Sequence, residues 1–249
     1  MVYNVPPITK HGDPAVTNIN DFVARLTRAA YPGAYLVEFF PWMRHFPSWL
    51  AKWKKTAEDW YSMDSAMFEG LFKDVKGRLV SGDHRASLAS TLINEAARHG
   101  LSDRENAWLA GTMYAAGSET TSGVMAWWML ALLAFPETQK RAQAEIDEIV
   151  GRSRPPRFSD LQSMPYMRAM VKEALRWRPV DPVGLPHRST EDDWYDGKFI
   201  PKGSIVIANV WHLNRDPGTF GADAHLFNPA RHLDANGQIG PGPADMKEE

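Results

Sequence analysis

From Ser102 to Phe135 the sequence contains no proline, and apolar residues fall on most faces of the helix this stretch predicts. At 1.5 Å per residue such a helix is on the order of 50 Å long, more than the diameter of a small domain. A rod of that length has to run through the middle of whatever it belongs to, and a helix that is hydrophobic all round is expected to be buried. Its start is marked by Ser102 and Glu105, spaced as a capping box, and its stop by Pro136. The middle breaks the pattern. In Tyr114–Leu130, YAAGSETTSGVMAWWML, glycine, a carboxylate and several hydroxyls interrupt the apolar run. Glycine inside a helix costs about 1 kcal/mol relative to alanine, and unpartnered buried polar groups cost more.

Two readings of this notch stand side by side. In one, Gly117 lets a ligand or water approach the backbone, a locally widened turn frees a carbonyl, and Glu119 beside the Thr120 hydroxyl passes protons inward. In the other, Ser118, Thr120, Thr121 and Ser122 bond to carbonyls one turn back, and Glu119 finds an arginine.

The remaining periodicity is mainly helical. Asn20 is expected to cap a helix bearing Phe22, Val23 and Leu26 that ends at Tyr31-Pro32-Gly33. Trp49, Trp53, Trp60, Met63, Met67 and Leu71 make a helical stripe from Ser48 to about Val75, and Leu88, Leu92, Ile93, Ala96 and Ala97 another, closed by His99-Gly100. Pro136 opens a surface helix whose Ala142, Ile146, Ile149 and Val150 face inward and which stops at Gly151. After a step at Met164-Pro165, Met167, Met170, Val171, Ala174 and Leu175 form the buried stripe of a helix ended by Pro179. Strands come late and few: Lys198–Ile200, a Pro201-Lys202-Gly203 turn, then SIVIANV from Ser204. From Asp216 onward, with Pro217, Pro229, Pro241 and Pro243, the chain reads as loop. The fold class is mainly α with one small β-hairpin.

Composition narrows the chemistry. The formal net charge of −2 carries no electrostatic signature of nucleic-acid binding, and with Cys 0 the chain supplies no thiolate, disulfide or zinc–sulfur site. Ten Trp and eleven Phe predict a large interior or an apolar ligand cavity. Eight His are present, none in a His-Glu-x-x-His pattern. No apolar run reaches the ~20 residues that span a bilayer.

Glu173 and Arg176 are neighbours on one helix, a pair worth only ~0.2–0.5 kcal/mol on a surface. Arg231, in FNPARHL, could reach back to Glu173. Each signal is weak alone, but their order is informative: Ala116-Gly117-Ser118-Glu119-Thr120-Thr121, then Glu173-x-x-Arg176, then the hairpin, then Phe227-Asn228-Pro229-Ala230-Arg231. That order resembles the cytochrome P450 superfamily of haem-thiolate monooxygenases, and GLPHRSTEDDWYDGKFIPKGSIVIANVWHLNRDP is similar to its fungal members.

The resemblance implies a partial P450 fold, with residues 1–100 as substrate-roof helices, 101–135 as the central oxygen-binding helix, 136–178 as a surface helix and the Glu-x-x-Arg helix, and 179–249 as a hairpin and meander-like loop. It implies that Glu119 and Thr120 are the acid–alcohol pair delivering protons, that Ala116 and Gly117 line the oxygen pocket, and that Arg188, with His187 as neighbour, holds a haem propionate. It makes Glu173, Arg176 and Arg231 a structural cluster, and residues 180–185 a wall of the substrate cavity. The cofactor is haem, the electron donor an NADPH-dependent flavoprotein reductase, the substrate an apolar small molecule, and the location of a full-length relative the cytoplasmic face of the endoplasmic reticulum membrane. Ala230 stands where the family commonly has an acidic residue.

The family's glycine-rich loop with the cysteine ligand follows the Phe-x-Pro-x-Arg segment, and its Trp-x-x-x-Arg helix precedes the first helices here. The chain is therefore expected to be the middle of a larger protein. Alone it is expected to be inactive, not to hold haem stably, and to be soluble or aggregated. The alternative is a non-catalytic degenerate fragment or helical interaction module.

Overall fold

The structure is a computed structural model that describes residues 1–4 and 12–241; Pro243 of the tail lies outside them. Helix accounts for 61% of the described residues, and the strands among them are few and short. The chain forms two compact units that divide between Glu119 and Thr120, within the long helix.

In the first unit, α1 (Pro14–Ala30) begins about two turns earlier than Asn20 implies. Asp13 accepts from the Ala15 amide at 2.9 Å, and Pro14 occupies the first helical position, where its fixed φ and missing N–H are no handicap. α2 spans Lys52–Val80. Its buried face is Asp64, Ser65, Phe68, Phe72 and Val75, one step round from the predicted tryptophan–methionine stripe. Trp49 and Met63 are exposed, because α2 packs through its phenylalanines. The predicted helix bearing Leu88, Leu92, Ile93, Ala96 and Ala97 is two, α3 (Leu88–Asn94) and α4 (Ala96–His99), broken at Glu95 and closed by Gly100 at φ +67°. Phe68 is wholly buried at the centre of this unit, edge-on to Phe22 and to Trp108, each 5.1 Å away.

The long helix α5 covers Asp103–Ala134 as predicted, α-helical throughout with no widened turn. Its capping box is formed: the Glu105 carboxylate accepts from the Ser102 amide at 2.8 Å, and Ser102 Oγ accepts from the Glu105 amide at 3.3 Å. The expectation that it is enclosed on all sides is corrected. Ala107, Ala110, Ala115 and Ala131 are buried, whereas Met113, Met125, Trp127, Met129 and Leu133 are exposed. Close approach selects the small residues. At Gly111 an added Cβ would stand 2.4 Å from the Phe68 ring. Trp108, Trp128 and Leu132 pack against the two cores, whereas Met113, Met125, Met129 and Leu133 remain at least half exposed.

In the second unit, α6 (Pro136–Ile149) and α7 (Pro165–Trp177) pack around Ala142, Tyr166, Met170, Ala174, Trp177 and Phe227. Ile149, at the end of α6, and Val171 and Leu175, all predicted to face inward, are exposed; the last two are so because the buried face of α7 turns toward Glu173 and Trp177. Glu145 of α6 caps α7 from outside, accepting from the amides of Tyr166 and Met167 at 2.9 and 2.8 Å.

The strands pair differently from the predicted hairpin. β2 (Asp193–Tyr195) and β3 (Lys198–Ile200) form the hairpin, around Asp196-Gly197, both at positive φ. β1 (His187–Arg188) pairs antiparallel with β4 (Ile205–Val206) outside it. The Pro201-Lys202-Gly203 turn exists but leads from one ladder to the other. The stretch from Asp216 holds more structure than a loop: after α8 (Val210–Leu213) come α9 (Pro217–Phe220) and a 3-10 turn at Pro229–His232. Among the described residues no helix is long and apolar enough to cross a membrane.

Candidate functional site

Glu173, in the second unit, accepts five hydrogen bonds. It has no exposed surface, and Arg176, one turn on, grips it with both forks, Nε to Oε2 at 2.8 Å and Nη2 to Oε1 at 2.7 Å. Oε1 also accepts from the Asn228 amide at 2.8 Å and from Arg231 Nε at 3.1 Å. His232 Nε2 lies 2.9 Å from Oε2. An ionised carboxylate can only accept, so that nitrogen carries the hydrogen. Burial raises the carboxyl pKa, but the bonds from Arg176, His232 and Asn228 outweigh it and hold Glu173 down at about 2.

The two arginines turn their remaining donors on the tail. Arg176 donates to the carbonyls of Asn214, Ala224 and Leu226 at 2.6, 2.7 and 2.9 Å. Arg231 donates to the Phe220 and Asp223 carbonyls and to the Asp223 carboxylate, the last at 3.1 Å. Trp177 Nε1 adds a bond to the His225 carbonyl at 3.1 Å. A surface pair contributes tenths of a kcal/mol, whereas a buried carboxylate with every lone pair filled fixes its partners in place. Sequence reasoning found Glu173, Arg176 and Arg231 but missed His232, Asn228 and Asp223. Asn228 and His232 have one local signal, that they flank Arg231 in a turn whose Asn228 side chain caps the Ala230 amide at 3.2 Å; Asp223, eight residues before Arg231, has none.

The other predicted residues lie elsewhere. Ala116, Gly117, Glu119 and Thr120 follow one another along the middle of α5, and all four are exposed. This corrects the expectation of a buried Glu119 carboxylate. Nothing lies within 4 Å of where a Gly117 Cβ would stand, so the backbone there is open to a close approach. His187 and Arg188 sit on exposed β1. Gly203, at φ +87°, makes room for the Arg188 guanidinium, whose Nη2 would be 3.2 Å from a Cβ at that position. No carboxylate pairs with Arg188 among the described residues.

A long helix with a polar notch, then a Glu-x-x-Arg helix locked by a downstream arginine, defines a recognised class. The family model for cytochrome P450 matches residues 8–246. The chain belongs to the cytochrome P450 family. It is 71% identical over 249 residues to a cytochrome P450 monooxygenase of Armillaria gallica, covering 100% of this chain and 48% of that one. It is 50% identical over 236 residues to cytochrome P450 monooxygenase 58 of Postia placenta (95% and 45%), and 46% identical over 241 residues to a monooxygenase of Amanita muscaria (97% and 42%). The chain spans about half the length of these curated relatives.

Proposed function

We propose that these residues are the central portion of a haem-dependent monooxygenase that hydroxylates an apolar small molecule with dioxygen and with electrons from an NADPH-dependent flavoprotein reductase. The observation that carries this reading is the filled Glu173–Arg176–Arg231 cluster, which joins two separated motifs of the family in one buried network. When bound, haem ligated by a cysteine thiolate supplies oxygen activation and O–O cleavage. The thiolate comes from none of these 249 residues, which contain no Cys.

The residues present fit that group in two respects. The open backbone at Gly117 leaves space beside the notch, and Arg188 offers a guanidinium with no carboxylate partner among the described residues. In this reading Glu119 takes protons from solvent and Thr120 holds the next one in line, with exposure on α5 suited to the first step. Ala116 and Gly117 leave the oxygen pocket free of side-chain bulk. Arg188, with His187, holds a propionate by charge-assisted hydrogen bonds. Residues 180–185 line the substrate cavity. Glu173, Arg176 and Arg231 act on no substrate; they hold the tail against α7. The whole enzyme works at the cytoplasmic face of the endoplasmic reticulum membrane.

The test is a chimera in which these 249 residues replace their counterpart in the Armillaria gallica relative. It is expected to give a reduced carbon monoxide spectrum of the thiolate type. Arg176→Ala in that chimera abolishes haem incorporation, whereas Thr120→Ala keeps the haem and diverts electrons from product to peroxide. A folded chimera without haem, or a Thr120→Ala variant with undiminished coupling, overturns the assignment.

A further inference from the structure

Arg178, the residue that follows α7, stands among three indoles of the second unit. Its guanidinium carbon lies 5.0 Å from the centre of the Trp177 ring, 5.2 Å from that of Trp211 on α8 and 5.5 Å from that of Trp127 on α5. Rings attract the cation, but they do not replace the oxygen acceptors that its five N–H donors have in water. Nε is buried without a partner, and no hydrogen bond or carboxylate reaches either Nη among the described residues. The neighbouring Arg215 adds a second positive charge. Its guanidinium lies 3.3 Å from the centre of the Trp211 ring and donates to the Trp177 and Trp211 carbonyls. Burial first, then the Arg178 and Arg176 charges, lowers the Arg215 pKa. Trp177 is closed in the core, whereas Trp127 and Trp211 keep 38% and 40% of their surface exposed.

We propose that Arg178 is the recognition residue of a site for an aromatic carboxylate, whose oxygens accept from the guanidinium and whose ring lies against the exposed parts of Trp127 and Trp211. Charge sets the head group. Two cations without an acid between them favour an anion, and a buried donor with no acceptor calls for a ligand or ion to fill it. A planar carboxylate matches the planar fork of a guanidinium with two parallel hydrogen bonds. The indoles set the body of the ligand, because a flat apolar ring covers their open surface and a small hydrated ion leaves it wet. The site takes in neither Arg188 nor any residue of the notch, so it stands whether or not α5 faces haem.

Equilibrium dialysis of the 249-residue chain at about pH 7, where a carboxylic acid is ionised, tests this with 2-naphthoate, 2-naphthamide and inorganic phosphate. We expect saturable binding of 2-naphthoate, about tenfold tighter than either of the others, the scale of hydrogen bonds to a charged group. Arg178→Gln, which removes the charge, and Arg178→Lys, which keeps the charge and loses the fork, are each expected to weaken 2-naphthoate about tenfold and leave 2-naphthamide unchanged. Bound 2-naphthoate is also expected to shield Arg178 of the parent chain from phenylglyoxal, read by peptide mass spectrometry. No saturable binding, an amide or phosphate that binds as tightly, or a folded Arg178→Gln chain with undiminished affinity overturns the proposal. If neither variant folds, the phenylglyoxal footprint decides, and an Arg178 modified equally with and without 2-naphthoate overturns it.

Discussion

Glu173 accepts five hydrogen bonds from four residues, three of which lie 55 to 59 positions further along the chain. Removing its charge leaves Arg176 and Arg231 buried beside a neutral group, so Glu173→Gln is expected to cost about 3–5 kcal/mol, read from urea unfolding. The same carboxylate sets a pH window. Its folded pKa of about 2 lies below the ordinary glutamate value of 4.5, so its stabilisation is full above 4.5 and is lost as pH falls from there toward 2. Urea midpoints that stay flat across that window count against the cluster. Two glycines of α5 give a contrast of sign. Gly111→Ala drives a methyl into the Phe68 ring and is expected to destabilise by about 1–3 kcal/mol. Gly117→Ala meets open space and is expected to stabilise by up to about 1 kcal/mol. Thermal melts of the two variants that shift in the same direction contradict this packing.

At the scale of elements, α7 depends on a neighbour for its start. Met164 supplies no side-chain cap, and the Glu145 carboxylate does that work from α6. Glu145→Ala is expected to cost about 1–2 kcal/mol and to speed hydrogen exchange at the Tyr166 and Met167 amides. No reading of the sequence around Met164 could have found this, because the cap reaches the Tyr166 amide from a residue 21 positions before it. The extent of α5 could be read, since Ser102, Glu105 and Pro136 are local signals. Its burial could not, because apolar periodicity shows which faces are able to pack and not what covers them. The same limit explains α2, where tryptophans at helical spacing suggested a core that the phenylalanines one step round occupy. The strands went astray for a related reason. Lys198–Ile200 and Ile205–Val206 read as neighbours across a turn, but each pairs with a segment upstream of both. In the cluster, Arg231 stood out through its motif, while His232 and Asn228 carry no periodic mark and acquire meaning only from a partner on another element.

Over the whole molecule, apolar side chains remain uncovered. Leu133 is 79% exposed and Phe158 96%, and Leu36, Phe39, Trp42 and Trp49 also stand in solvent. Exposed apolar surface of this extent favours association. The 249-residue chain by itself is therefore expected to elute from size exclusion as a concentration-dependent oligomer that mild detergent disperses; a monomer at all concentrations contradicts this. The Glu173 network has a temporal side as well. A ribosome makes α7 well before Asn228, Arg231 and His232, so the newborn helix holds its carboxylate with Arg176 alone until those residues emerge. This half of the chain cannot finish folding in the order in which it is translated: its earliest buried charge waits for its last partners, and a ribosome stalled before Asn228 would display an unfinished core to the chaperones around it.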